Sequence, residues 1–199
     1  MTSIKPFKIQ TSEQELKDLK QRLTLTRWPD KETPPDWSQG IPLSYMIEIH
    51  DYWLNQYDWP ARLALLNQWP GFKTEIDGLG IHFLHIKSAE PDALPLLMTH
   101  GWPGSIVEFQ KIIGPLTNPT EHGGLASDAF DLVIPTLPGF GYSDKPVSPG
   151  WNIDRIATAW DELMIRLGYV CYVAQGGEWG SIVPDEIGGQ NLAHCVGIP

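Results

Sequence analysis

The sequence predicts an α/β protein: a partly built three-layer sheet, with six strands legible, preceded by an N-terminal helical meander. Three observations carry this reading. After residue 70, short continuous apolar runs of strand length alternate with segments of helical spacing, the pattern of strands buried on both faces of a parallel sheet. Before residue 70, helix-start signals alternate with a proline-rich stretch and no strand period is visible. Between the two, Asp77-Gly78 sits in a hairpin signal where one period gives way to the other. The organisation read from this is a meander over residues 1–70 and a sheet-bearing region over residues 71–199.

The elements follow in order. Ser12 to Glu15 is a capping box, with Leu16, Leu19 and Leu23 behind it at helical spacing, and Pro29 is expected to stop that helix. "KETPPDWSQGIP" reads as extended chain. Ser44 opens a second helix over residues 45–56, and Pro60 suits the first turn of a third that runs to about Gln68. "FKTEIDG" and "GIHFLHIKS" form the hairpin; "LPLLMTH", "FDLVIPT", "VCYVA" and "HCVGIP" are the buried strands. A second capping box, Ser105 to Glu108, opens a helical segment over residues 105–113. Ile153, Ile156, Trp160, Leu163 and Leu167 share one face of another helix. There is no internal repeat and no low-complexity tract.

Composition bounds the function. The 199 residues are 42% hydrophobic, enough for a substantial core. A formal net charge of -10 leaves no basic stripe for a nucleic acid and disfavours polyanionic ligands and anionic membranes. An uncharged small molecule is the easier ligand. Cys171 and Cys195 lie in apolar runs with neither CxxC nor zinc spacing, and read as reduced core thiols. The N-terminus lacks a signal-peptide run and no stretch has the length of a membrane span, so the expected location is cytoplasmic and no transmembrane segment is expected.

In a parallel sheet, chemistry gathers at the carboxyl ends of the strands. "HGWPG" (100–104), "PGFGYS" (138–143) and "GGEWG" (176–180) fall there. The last fits a nucleophile elbow: Gly176 and Gly180 flank Glu178 closely, so that strand and helix can approach around a strained tip residue. The carboxylate would point into the site at the positive end of the following helix. The backbone N–H groups of Trp102 and Trp179 would form an oxyanion hole. His100, Gly101, Pro103 and Gly177 support the two loops. Taken alone, a glycine-rich turn with a glutamate is also an ordinary turn; neither a dinucleotide fingerprint nor a P-loop fits it.

Together "TRWPD", "YDW", "FKTEIDGLGIHFLHIKS", "LPLLMTHGWPGSIVEF", "PTLPGFGYSDKP" and "VAQGGEWGS" resemble the epoxide hydrolases of the α/β-hydrolase superfamily, in the microsomal and juvenile-hormone branch that carries an N-terminal meander. The resemblance covers almost the whole chain. It implies an α/β-hydrolase fold with about six of eight strands, a family N-terminal domain extending to about residue 112, and a cis bond between Trp102 and Pro103. The implied function is cofactor-independent, metal-free opening of epoxides to vicinal diols, a detoxifying hydrolysis with a small uncharged epoxide and water as reactants. In the implied mechanism an elbow carboxylate attacks the epoxide, cap tyrosines protonate its oxygen, and a histidine paired with an acid activates water against the ester. A haloalkane dehalogenase-like hydrolase is the enzymatic alternative, which the meander disfavours. A non-catalytic remnant or partner module is the alternative of another class.

Three departures from the family pattern stand out. The family nucleophile is Asp, whereas here it is Glu178, and the extra methylene moves the carboxylate by about 1 Å, enough for a cost on the order of a hundredfold in rate. Pro184, about a turn behind the elbow, is expected to kink the helix. The catalytic acid, the histidine and the cap tyrosines follow the nucleophile in relatives, and the residues from 179 to Pro199 do not supply them; the expectation is a truncated chain that is inactive alone. His194 is expected at the wrong end of the sheet, and His100 to shape its loop. His82 and His85 should face opposite sides of one strand, and His50 and His122 should lie at the surface. An uncovered last strand, residues 194–198, is expected to promote self-association.

Overall fold

A computed structural model describes residues 3–198. The described residues form two compact units, Ile9–Leu65 and the residues on either side of it.

The first unit is helical. α1 (Glu13–Thr24) starts on the Ser12–Glu15 capping box, closed in both directions. It ends at Thr24, four residues short of the tryptophan–proline pair, so Pro29 is not its terminator. α2 (Leu43–Asn55) begins behind Pro42 and has no side-chain cap; Ser44, expected as its opener, lies inside its first turn. α3 (Trp59–Leu66) carries Pro60 near its start, where the missing N–H breaks no helical bond. His50 is half-buried rather than superficial, with Nε2 2.9 Å from the carbonyl oxygen of Leu23.

The second unit is a seven-stranded mixed sheet in the order β1-β2-β3-β5-β4-β6-β7. Six strands match the sequence reading: β2 (Gly71–Ile76), β3 (Leu79–Ile86), β4 (Leu94–Thr99), β5 (Phe130–Pro135), β6 (Tyr172–Gly176) and β7 (Cys195–Gly197). The last run was read as extending to Pro199, which lies outside the described residues. The seventh, β1 (Lys5–Phe7), corrects the reading of residues 1–70 as helices and irregular chain: it pairs antiparallel with β2, Lys5 opposite Lys73. β2 and β3 join through Asp77 and Gly78, at φ +50° and +77°, the double left-handed turn that suits a right-twisted hairpin. β5, β4, β6 and β7 run parallel.

Alternation along the parallel strands builds two cores. Leu97, Val133, Tyr172 and Ala174 face α5 (Ile153–Arg166) and α6 (Ile182–Gly189). Leu96, Met98, Leu132 and Ile134 face a 3₁₀ turn, Ile106–Phe109, and α4 (Ile113–Thr117). The segment read as one helix over residues 105–113 is thus a capped 3₁₀ turn followed by a short helix. α5 buries Ile156, Trp160, Leu163 and Met164 along one stripe, each such side chain stabilising by about 1.5–3 kcal/mol. Pro184 does not act in a helix interior. A 3₁₀ turn spans Glu178–Ser181 and α6 starts only at Ile182, so the proline falls in the first turn of α6. Cys171 and Cys195 are free and half-buried, not core thiols.

Candidate active site at the β6 elbow

β4, β5 and β6 end side by side, and three loops leave them in the same direction. The β4 loop carries His100, Gly101, Trp102 and Pro103, with a cis bond between the last two. The β6 loop carries Gly177 and Glu178. Glu178 has φ +53°, a left-handed conformation costly for a residue with a Cβ. Three contacts hold it there. Gly180 N donates to Gly177 O at 2.9 Å, Ser181 Oγ donates to Glu178 O at 2.6 Å, and Gly177 N donates to Thr99 O at 3.2 Å.

The glycines have unequal duties. A Cβ on Gly176 would lie 1.9 Å from Gly180 O, and one on Gly180 would lie 2.3 Å from Thr99 O. Both positions must stay bare for the strand, the turn and β4 to meet. A Cβ on Gly101 would lie 2.7 Å from both Glu178 Oε2 and Gly177 O. Gly177 itself meets nothing within 4 Å and is extended, so it supplies backbone groups only.

Glu178 is exposed, and its Oε2 accepts two backbone hydrogen bonds, from Trp102 N at 2.8 Å and Trp179 N at 2.5 Å. No hydrogen bond reaches Oε1 among the described residues. Both indoles stand open to solvent, at 61% and 52% exposure.

His100 is fully buried between the loops. Its Nε2 accepts from Leu137 N at 3.1 Å, which leaves the proton on Nδ1, 3.1 Å from Gly101 O. Burial pushes its pKa below the ordinary imidazole value. With both nitrogens committed, His100 ties the β4 loop to the β5 loop. His194 lies at the amino end of β6, where its carbonyl accepts from Tyr172 N and its Nδ1 sits 3.2 Å from Asp161 Oδ2. Five strand residues, roughly 17 Å, separate that end from the elbow. His82 and His85 use different partners, Thr136 Oγ1 and Tyr169 OH respectively.

Sequence reasoning missed Ser181, whose hydroxyl three residues after the tip was the available signal, and Trp160, whose buried indole N–H donates to Thr99 Oγ1 at 3.2 Å beneath the elbow. Among the described residues, no group of three or more His, Cys, Asp or Glu is placed to hold a metal ion.

The family model for the epoxide hydrolase N terminus matches residues 4–109. A protein of Stigmatella aurantiaca (strain DW4/3-1), provisionally named an epoxide hydrolase, is 54% identical over 195 residues, 98% of this chain and 44% of that protein. Juvenile hormone epoxide hydrolase 2 of Ctenocephalides felis is 42% identical over 209 residues, 98% of this chain and 43% of its own. The crystal structure of juvenile hormone epoxide hydrolase from the silkworm Bombyx mori superposes with a TM-score of 0.88 at 36% identity, covering all of this chain and 52% of that one. The chain thus spans about half the length of the relatives it matches.

Proposed function

Because this chain belongs to the epoxide hydrolase family, we propose that it carries the alkylating half of an epoxide hydrolase site, with Glu178 as nucleophile and the amides of Trp102 and Trp179 as oxyanion hole. One observation carries the reading: two N–H groups from different loops converge on Oε2 while Oε1 stays free. Oε1 attacks an epoxide carbon, the ring C–O bond breaks, and the ring oxygen leaves with the electron pair and takes a proton from water at the open site. The product is an alkyl ester whose carbonyl oxygen, Oε2, already lies in the hole. Water attack on the ester carbon then places negative charge on Oε2, where the two donors oppose it. Collapse breaks the ester C–O bond; one proton of the attacking water goes to the leaving alkoxide and the other neutralises the hydroxide left by the first step, so the vicinal diol departs and the carboxylate is restored.

That second step needs a base. The family resemblance assigns it to a histidine paired with an acid, later in the sequence than Glu178. His100 and His194 are committed elsewhere, so these residues by themselves are expected to be alkylated once and to retain the ester. The substrate fits as an uncharged epoxide, since the indoles beside Glu178 carry no charge and the chain is acidic overall. The step uses no metal and no cofactor.

Intact-mass measurement after incubation with styrene oxide tests this. The expected result is one adduct per chain, mapped to Glu178 and absent in Glu178→Gln. Glu178→Asp, with the family's shorter arm, is expected to alkylate faster, by on the order of a hundredfold. An adduct elsewhere, or sustained diol production by the 199 residues, would overturn the reading.

The edge of the sheet favours a second reading, as a self-associating module. Val196 is 63% exposed on β7, and an open apolar cavity of about 560 Å³ lies beside that strand. Gln175 Oε1 is buried there without a partner. Sedimentation of the chain is expected to show oligomers; a sharp monomer would dismiss this. The domain reading is part of the proposal: residues 1–70 as meander and 71–199 as the N-terminal part of the hydrolase core, checked by where limited proteolysis cuts first. So is a cytoplasmic location, checked by cell fractionation. No helix of the described residues is long and apolar enough to cross a membrane.

A further inference from the structure

A cavity of about 200 Å³ opens beside the elbow. Trp102 and Trp179, whose amides hold Glu178, are two of its walls; Phe140, Trp151, Ile156 and Val183 supply others, and no charged side chain lines it. An apolar cavity of about 150 Å³ is enough to take a benzene ring.

Trp151 is the wall with dedicated support. The Arg155 guanidinium lies 4.4 Å from the centroid of its ring. That guanidinium is itself fixed, with Nε 3.2 Å from Asp77 Oδ2 in the β2–β3 turn. Arg155 N also donates to Asn152 Oδ1 at 3.1 Å, anchoring the first turn of α5 just after Trp151. A carboxylate from one end of the sheet thus steadies an arginine, and the arginine steadies an indole that bounds the cavity. Trp151 is half-buried against the core, and the guanidinium over its ring restrains the part of the indole that the core leaves uncovered.

We propose that this cavity receives the apolar substituent of the epoxide, a phenyl or short branched alkyl group, and that Trp151 is the specificity-determining residue that limits its size. The proposal rests on Glu178 as nucleophile. Arg155 is then a positioning residue that acts through Trp151. A charged or long-chain substituent finds neither a counter-charge nor enough room. A ring with one or two further carbons fills the space between the four aromatic walls.

Two measurements on the full 199-residue chain test this, and they fail separately. The first is binding without chemistry. Ethylbenzene is titrated into Glu178→Gln and followed by the tryptophan indole signals in NMR spectra. Saturable shifts are expected, weakened about tenfold in Trp151→Ala and less in Trp151→Phe. The second is the alkylation rate by intact mass, with styrene oxide against 4-tert-butylstyrene oxide. Trp151→Ala is expected to move the preference toward the bulkier epoxide by about tenfold, and Arg155→Gln in the same direction by less. Near-UV circular dichroism checks each variant; should Trp151→Ala not fold, Trp151→Phe and Arg155→Gln decide. Alkylation with unchanged size preference in every folded variant overturns the cavity assignment while Glu178 stands. Trp151-dependent ethylbenzene binding without alkylation by either epoxide upholds the cavity and fails the nucleophile. No saturable binding overturns the cavity outright.

Discussion

The sheet holds carboxylates in two opposite ways. At the carboxyl end of β6, Glu178 is exposed and held by backbone, with both donors on one oxygen. Near the amino end, Asp161 on α5 is buried and held by side chains, one per oxygen: Tyr172 OH on Oδ1 at 2.9 Å and His194 Nδ1 near Oδ2. Asp131 on β5, half-buried, shares only the one-donor-per-oxygen arrangement, its oxygens taken by the Ser88 backbone N–H and the Tyr169 hydroxyl. Asp131 and Asp161 lie beside tyrosines whose pKa values are raised, chiefly by burial and then by the carboxylate, so these hydroxyls stay protonated donors. A saturated carboxylate is a structural strut. A carboxylate gripped by one oxygen keeps the other for chemistry, and fixed amides supply that grip without adding a titrating group to the site.

The sharpest way to break this contrast is to spoil the grip. Gly101→Ala places a Cβ 2.7 Å from Oε2, so the carboxylate must leave the hole. Alkylation by styrene oxide is expected to fall on the order of a hundredfold, because a misplacement of about 1 Å is worth that much. Gly177→Ala, in open space, should change stability by less than about 0.5 kcal/mol and keep the rate. Equal rates in both variants would dissolve the distinction. Tyr172→Phe probes the strut. It leaves buried Asp161 Oδ1 unpaired and is expected to cost about 1–3 kcal/mol in a denaturant melt, with the alkylation rate unchanged. A parallel fall in alkylation would show that the two ends are not independent.

Acid provides a graded test of the buried groups. His82 is fully buried with Nε2 unpartnered, and burial, reinforced by nearby Lys73, lowers its pKa to about 4. The unfolded chain, with an ordinary imidazole near 6.5, therefore binds the proton first. The contribution is whole above about pH 6.5 and is lost as pH falls toward 4, on the order of 2–3 kcal/mol. His85 and His100, also lowered chiefly by burial, act in the same direction. Denaturant midpoints from pH 7 to 4.5 should decline accordingly, and His82→Gln should flatten the slope. A flat profile in the parent chain would refute the assignment.

Much of this was legible in the sequence, for reasons that also explain the gaps. The buried strands announced themselves because residues covered on both faces leave a continuous apolar run. β1 did not: Lys5-Pro6-Phe7 is an edge strand of three residues, where a lysine and a proline are tolerated, and its partner β2 lies beyond the helical unit. The elbow was legible because backbone crowding dictates its small residues. Gly177 sits in the same motif yet bears no such constraint, and sequence cannot separate the two kinds of glycine. Pro184 was misread because the onset of α6 was set at the elbow rather than at Ile182. The support of Trp151 was invisible because Asp77 and Arg155 are 78 residues apart and meet only through the sheet.

The Trp102 amide and the carboxylate it holds lie on either side of a wide gap in the chain: Trp102 and Glu178 are 76 positions apart, with β5 and α5 between them. Closing so long a segment carries an entropic cost that only the finished β5-β4-β6 order repays. Reactivity at Glu178 is therefore a built-in clock for folding. In a refolding experiment, covalent labelling of that carboxylate would switch on only when β6 docks against β4. Helical signals from α1 to α3 can appear well before then. An epoxide pulse would thus timestamp the β4–β6 pairing of the sheet, a step that circular dichroism averages away.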